Sequence, residues 1–86
     1  MSMKRKILIE NTTVTESDNF AECVFRNVTF QAGDFAFGAC EFFNCVFESG
    51  IFMLELCRLN KCAVPYNIFN HPVGHTSFTE TRYIVG

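Results

Sequence analysis

The sequence predicts an all-β protein, a small parallel β-helix (solenoid) of about five short coils with atypical capping coils. The first observation behind this prediction is a repeat of seventeen residues, which places Cys23, Cys40 and Cys57 in one column. The remaining two cysteines, Cys45 and Cys62, share a second column of the same repeat. A fixed period in this range is typical of solenoids, in which each coil stacks on the one before.

The second observation is that a large apolar residue follows each small one after a single spacer. Because alternate residues of a strand point to opposite faces, Cys23 and Phe25 should point inward while Val24 and Arg26 point outward. Stacking of coils about 4.8 Å apart should then place like residues over like. The predicted ladders are Phe25, Phe42 and Leu59; Phe30, Phe47 and Val64; Phe35, Phe52 and Phe69; Asn11, Asn27 and Asn44; and a turn column of Gly33, Gly50 and Asn67.

The ends of the chain follow the same spacing less strictly, as the capping repeats of a solenoid do. We divide the single domain, residues 1–86, into an N-terminal cap coil (1–17), three regular coils (18–68) and a final segment (69–86). The final segment contains a loop with Pro72 and Gly74, followed by a C-terminal cap or dimerisation element.

Residues 51–62 also fit a different structure. This stretch is rich in Leu, Met, Glu, Arg and Lys, so that it could form an amphipathic helix of an α+β domain. The repeat assigns it instead to the third regular coil, and this interpretation accounts for more of the sequence.

The units Cys23-Val24-Phe25, Val28-Thr29-Phe30, Cys40-Glu41-Phe42, Cys45-Val46-Phe47 and Cys57-Arg58-Leu59 resemble those of pentapeptide-repeat proteins. The resemblance implies a right-handed β-helix of four-sided coils, each of four five-residue units. A coil of seventeen residues departs from that pattern, so that the fourth side is shortened or the cross-section is triangular. Other β-solenoids with coils near this length remain alternatives. The best-understood members of the family resemble duplex DNA in shape and charge and bind topoisomerases, which implies a DNA-mimic inhibitor of a topoisomerase or a CRISPR complex as one function.

Composition points to a soluble protein that does not bind nucleic acid directly. Nine acidic and seven basic residues give a formal net charge of −2, which is weak for binding DNA and weak for imitating it. The apolar run at residues 7–9 is too short for a signal peptide, and no segment approaches the roughly 18 apolar residues of a membrane span. Cysteines at inward strand positions indicate a reducing compartment, so we expect a cytoplasmic location, in the host cytoplasm if the protein is phage-encoded.

We predict no catalytic, cofactor-binding or metal site, and therefore no enzyme. Cysteines five residues apart, with His71 and His75 downstream, are the one candidate zinc set, but such spacing on flat strands does not converge on one ion. A cysteine nucleophile needs a partly exposed, electropositive setting, whereas these cysteines lie among phenylalanines.

The outward positions instead suggest partner binding. Apolar side chains there would form a patch large enough to mark an interface, unless the long side of the coil turns some of them inward. The predicted partner-binding residues are Phe43, Val46, Ile51, Met53, Glu41, Glu48 and Arg58, with Leu56 and Ile68 as further apolar members of the patch.

The function predicted from these features is a non-enzymatic protein-binding module, such as a small phage- or plasmid-type inhibitor of a host protein complex, acting through the flank of the solenoid. A homodimer through an end coil or the C-terminal segment would cover unpaired strand edges. A structural, self-assembling solenoid is the alternative.

Overall fold

The computed structural model describes residues 4–31, 33–48, 50–65 and 75–84. Of residues 83 and 84 it describes the backbone alone. These residues form a parallel β-solenoid of about four turns without any helix, which confirms the predicted all-β solenoid. Residues 51–62 form strands, so the helical alternative for this segment is wrong. None of the described residues lies in a helix that could cross a membrane.

Twelve strands make up the described part of the chain. They are β1 (Lys4–Arg5), β2 (Leu8–Val14), β3 (Asp18–Ala21), β4 (Val24–Phe30), β5 (Asp34–Gly38), β6 (Glu41–Phe43), β7 (Val46–Phe47), β8 (Ile51–Glu55), β9 (Arg58–Asn60), β10 (Ala63–Pro65), β11 (Ser77–Thr79) and β12 (Arg82–Ile84).

Each coil has three sides. The first side is the four-stranded sheet β1-β3-β5-β8. The second side stacks the start of β2, the start of β4, β6, β9 and β11, and the third side stacks the ends of β2 and β4 with β7, β10 and β12. All of these pairs are parallel, and the coil closes in seventeen residues because it has three sides instead of four.

The register of the strands confirms the repeat columns found in the sequence. Phe25 pairs with Phe42, Phe42 with Leu59, and Phe30 with Phe47. The first side contains a further inward column, in which Phe20 pairs with Phe37 and Phe37 with Leu54. The sequence analysis did not identify this column, because it falls in the seven-residue part of the repeat, where the five-residue spacing gives no guide.

Aromatic stacking fills the interior. The ring centroids of Phe25 and Phe42 lie 4.9 Å apart at an interplanar angle of 6°. Phe35 and Phe52 stack in the same way at 5.5 Å, and edge-to-face contacts join the columns, as between Phe37 and Phe42 at 4.9 Å. Each aromatic pair adds about 0.5–1.5 kcal/mol beyond the burial of its area. The predicted phenylalanine ladders are thus confirmed for the described residues; Phe69 and Asn67 lie outside them.

Two of the three corners require a left-handed backbone. The corner between the first and second sides has five stacked residues with positive φ. The corner between the second and third sides has five further residues with positive φ. The first set is Lys6, Glu22, Ala39, Leu56 and His75; the second is Asn11, Asn27, Asn44, Lys61 and Glu80. Asparagine tolerates this conformation better than other non-glycine residues, and Asn27 Nδ2 also donates to Asn11 Oδ1 at 3.1 Å, the first step of the predicted asparagine ladder.

The third corner depends on close backbone contact. Gly50 has φ of 123°, and a Cβ atom there would lie 2.3 Å from the carbonyl oxygen of Gly33. The turn column predicted at Gly33 and Gly50 therefore has a steric cause, since any side chain at Gly50 would push two coils apart.

Cysteine is the side chain that fits behind the two left-handed corners. All five cysteines are buried and free, and their thiols donate to nearby carbonyl oxygens. Cys40 Sγ donates to the Gly38 carbonyl at 3.4 Å, and Cys57 Sγ donates to the carbonyls of Glu55 at 3.4 Å and Phe37 at 3.5 Å. These residues therefore act as small apolar fillers with a weak donor, as the sequence predicts.

Replacing Cys40 by Asp should unfold the protein or nearly so. The substitution places a carboxylate in a fully buried column with no basic partner, and we expect a loss of more than about 4 kcal/mol in the free energy of unfolding. Urea denaturation followed by circular dichroism measures this loss. Ala39→Asp, at the exposed corner next to it, is the control and should change stability by less than about 1 kcal/mol; equal tolerance of both substitutions would contradict the fold.

Replacing Leu56 by Asn should stabilise the protein. Leu56 is 57% exposed and has φ of 56°, so the substitution relieves a left-handed leucine and sacrifices little buried area. We expect a gain of about 1 kcal/mol, which corresponds to a rise of about 4–8 °C in Tm for a domain of this size. Met53→Asn, which changes a side chain of similar exposure in an extended strand, should give no gain in the same thermal melt.

Candidate protein-binding face

The outer surface of the first side carries the candidate site. Its inward columns are occupied by aromatic and leucine side chains, so the residues between them point to solvent. Three outward columns result. In the first, Asp34 pairs with Ile51; in the second, Asn19 pairs with Ala36 and Ala36 with Met53; in the third, Ala21 pairs with Gly38 and Gly38 with Glu55.

Small residues in these columns leave a shallow groove of about 320 Å³ on this surface. Ala21, Ala36 and Gly38 line it, and Met53 lines it at the next coil. A Cβ atom at Gly38 would meet nothing within 4 Å, so there is open space above this glycine. The groove is thus floored by backbone and methyl groups and is accessible to a side chain from outside.

Exposed apolar residues border the groove on the β8 side. Met53 is 51% exposed, Ile51 is 44% exposed, and Leu56 follows at the adjoining corner. Single exposed apolar residues are common on proteins, but three on one strand and its corner, beside a groove of small residues, form a contiguous patch.

Acidic groups lie at the same edge. Glu55 ends β8, and Asp34 pairs in register with Ile51 at the start of that strand. Neither carboxylate takes part in the ion pairs found among the described residues, which join Lys4 to Asp18, Lys6 to Glu22 at 3.8 Å, and Arg58 to Glu41 at 4.0 Å. The apolar patch is therefore flanked by two negative charges.

The residues predicted to bind a partner are distributed over all three sides of the coil. Ile51 and Met53 lie together on the first side. The second side carries Glu41, Phe43 and Arg58, where Glu41 pairs with Arg58 and the guanidinium of Arg26 lies 5.8 Å from the ring centroid of Phe43.

The other predicted residues lie apart from both groups. Val46 is half-buried on the third side, and Glu48, after β7, accepts a hydrogen bond from Gln31 Nε2 at 3.3 Å. Ile68 lies outside the described residues.

The sequence analysis missed the small residues that form the groove. Ala21, Ala36 and Gly38 carry no charge, aromatic ring or nucleophile, and alone they give no functional signal. Their alternation with Phe20 and Phe37 is the pattern that could have placed them outward on one side.

All five cysteines are buried, whereas a reactive cysteine is partly exposed. Hydrogen bonding between the stacked sulfurs of Cys40 and Cys57 raises the pKa of Cys40, as burial also does, and lowers the pKa of Cys57. The stacked pair of Cys45 and Cys62 behaves in the same way, with the pKa of Cys45 raised and that of Cys62 lowered. Among the described residues no cluster of three or more His, Cys, Asp or Glu side chains could hold a metal ion. His75 lies at an exposed corner, and His71, the second histidine considered for a zinc site, lies outside the described residues.

Comparison with known proteins finds no matching family model, no matching curated protein and no matching solved structure. What this chain is shown to share with pentapeptide-repeat proteins is therefore the parallel β-solenoid fold.

All five thiols should resist modification in the folded protein. Because they are buried and the thiolate is the reactive form, a disulfide reagent such as DTNB should react at pH 8 at least about 100-fold more slowly than in 6 M guanidinium chloride. The time course of thionitrobenzoate absorbance measures the rate. Rapid release of one equivalent from the native protein would reveal an accessible cysteine and contradict the structural role.

Proposed function

We propose that this protein is a non-enzymatic protein-binding module that docks a partner protein on the outer groove of its first side. The observation that carries the proposal is the groove over Ala36 and Gly38, which the half-exposed side chain of Met53 lines. Ile51, on the same strand as Met53, is also exposed.

Rigidity supports a binding role. The four strands of the first side are paired in parallel register, and the core beneath them is stacked phenylalanine. A groove on such a surface is preformed, so that little conformational entropy is lost when a partner binds.

The chemistry of the groove selects the kind of partner. Its size and its apolar floor suit one large apolar side chain, which would lie over Ala36 and Gly38 and contact Met53. The carboxylates of Glu55 and Asp34 favour a lysine or arginine next to that anchor, because unlike charges at the edge of an interface steer and orient association. The partner is thus a protein surface with an apolar anchor flanked by basic residues.

We further propose that binding serves inhibition, as in a phage- or plasmid-encoded inhibitor that blocks a host protein complex in the cytoplasm. A small rigid flank can cover a site on a larger protein without any chemistry of its own. Membership of a pentapeptide-repeat-like group also belongs to this proposal; the shared unit of small residue, spacer and large apolar residue supports it, and the three-sided coil departs from it.

DNA mimicry is less well supported as the mode of inhibition. Three of the acidic side chains, Asp18, Glu22 and Glu41, have lysine or arginine partners, and the acids lie on different sides of the coil. A mimic of duplex DNA needs a continuous, unpaired acidic surface.

Met53→Glu should abolish partner binding without unfolding the protein. The substitution places a charge at the apolar border of the groove, where it would be desolvated beside Glu55, and we expect a loss of affinity of at least about tenfold. The measurement is capture from host lysate with tagged protein, identification of the recovered protein by mass spectrometry, and titration of that protein against each variant.

Val46→Glu, an equivalent substitution on the third side, is the matched control and should bind as the unaltered protein does. Ala36→Arg, which fills the groove, should behave as Met53→Glu. Equal affinity for all variants, or a loss confined to Val46→Glu, would contradict the assignment of the first side as the docking face. Thermal melts establish that each variant is folded.

A further inference from the structure

We infer that the N-terminal end of the solenoid is an interface between two copies of this chain. The two copies are related by a twofold axis that is perpendicular to the long axis of the solenoid. The inference is independent of the proposed function, since it concerns the end of the stack and not its flank. Three observations carry it: an unpaired strand edge, an uncovered part of the core and a self-complementary arrangement of charge.

The strand edge is visible in the hydrogen bonds between coils. On the second side, Val24 and Glu41 are the residues that stack in register over Leu8 in the next two coils. Each donates its backbone N–H to a carbonyl of the preceding coil: Val24 to Ile7 at 3.0 Å, and Glu41 to Cys23 at 3.0 Å. Leu8 belongs to the first described coil, and no described strand pairs with the outer edge of β2. This edge runs along two sides, turns at Asn11 and contains no proline, and proteins commonly cover open strand edges.

The core is also less well covered at this end. Ile9 and Val14 occupy the same inward columns as Phe25 and Phe30, which are fully buried, yet both are only partly buried. A cavity of about 290 Å³ opens over them and over Phe20. The adjoining Ile7 and Leu8 are 40% and 55% exposed, so that apolar area extends from the cavity to the edge strand.

Part of the end is closed by an ion pair. Lys4 stands in the register of Phe20, its Nζ lies 5.7 Å from the centroid of that ring, and it pairs with Asp18. The hydrogen bond from Lys4 holds the pKa of Asp18 below its ordinary value, so this pair stays charged at neutral pH. It covers the first side, and no described strand lies over the ends of the second and third sides.

The charges of the remaining corners select the occupant. Lys6 stands at the corner between the first and second sides, where it lies 3.8 Å from the carboxylate of Glu22 and remains largely exposed. Glu16 stands in the segment that links the third side to the first. A twofold axis through the Asn11 corner exchanges these two corners, so that Lys6 of each copy faces Glu16 of the other. The same axis sets the two β2 strands antiparallel, edge to edge, as in an isologous interface.

Head-to-tail stacking offers no such match. It would place Lys6 in the corner column that ends in His75, and Asn11 over Glu80, so that Lys6 would gain no carboxylate at this corner beyond Glu22 of its own chain. It would also leave an open edge on every added copy and so grow without limit, whereas the twofold arrangement closes after two.

Charge reversal at the two corners tests the inference. Lys6→Glu and Glu16→Lys should each weaken the dimer by about tenfold or more, because each change creates two repulsive contacts. The double variant, with both substitutions, should restore dimerisation by exchanging the two charges. The backbone conformation at Lys6 accepts glutamate, since Glu22 adopts it in the same corner column. Lys6→Glu also removes the ion pair with Glu22 inside the chain, and the double variant keeps that local loss, so recovery of its dimer separates the effect at the interface from the effect within the chain.

The measurement is the mass of the full chain by sedimentation velocity from about 1 to 200 µM protein, with thermal melts to establish folding. The unaltered protein should be a dimer at the upper concentrations. Lys61→Glu, a corner residue with φ of 55° in a coil nearer the other end, is the matched control and should dimerise as the unaltered protein does. A monomer at all concentrations, open-ended growth in mass, or failure of the double variant to recover the dimer would each overturn the inference.

Discussion

Phe25 lies over Phe42 with nearly parallel rings, and contacts of this kind fill the interior of the solenoid. Parallel strands in register place each residue over its equivalent in the next coil about 4.8 Å away, a distance at which flat aromatic rings and thiols stack well. A charged side chain in a buried inward column would repel its own equivalent in the next coil. The buried core is built from phenylalanine, leucine, valine and cysteine.

This restriction has a cost at the corners. A coil of seventeen residues turns through three sides, and two of its three corners require a left-handed backbone. Over all the described coils, these two corners contain ten left-handed residues, none of them glycine. Only three of these ten are asparagine. Since a left-handed residue with a Cβ atom costs roughly 1–2 kcal/mol, the corners oppose folding and the aromatic stacks must offset them. The third corner avoids this cost with Gly50, whose missing side chain permits contact with Gly33.

The same architecture determines where function can lie. Every inward position is committed to stacking, so recognition is left to the outward positions and to the ends of the stack. On the flank, small outward residues and Met53 line an apolar groove on the first side, whereas the grooves of the other two sides are lined in part by charged residues such as Arg26, Lys61 and Arg82. At the N-terminal end, no described strand pairs with the outer edge of β2.

The sequence by itself determined the period, the inward columns and the all-β class, because stacking in register requires the same residue type every seventeen positions. It also placed the cysteines correctly in the interior. Only the tertiary structure decided that the coil has three sides, that Phe20, Phe37 and Leu54 form a further inward column, and that Phe43 and Met53 lie on different sides. The physical reason is that a side begins where the backbone turns, and residues such as Glu22 and Leu56 turn it through a left-handed φ that no pattern of side chains announces. The groove has the same origin, since it exists only where small outward residues from several coils share one side.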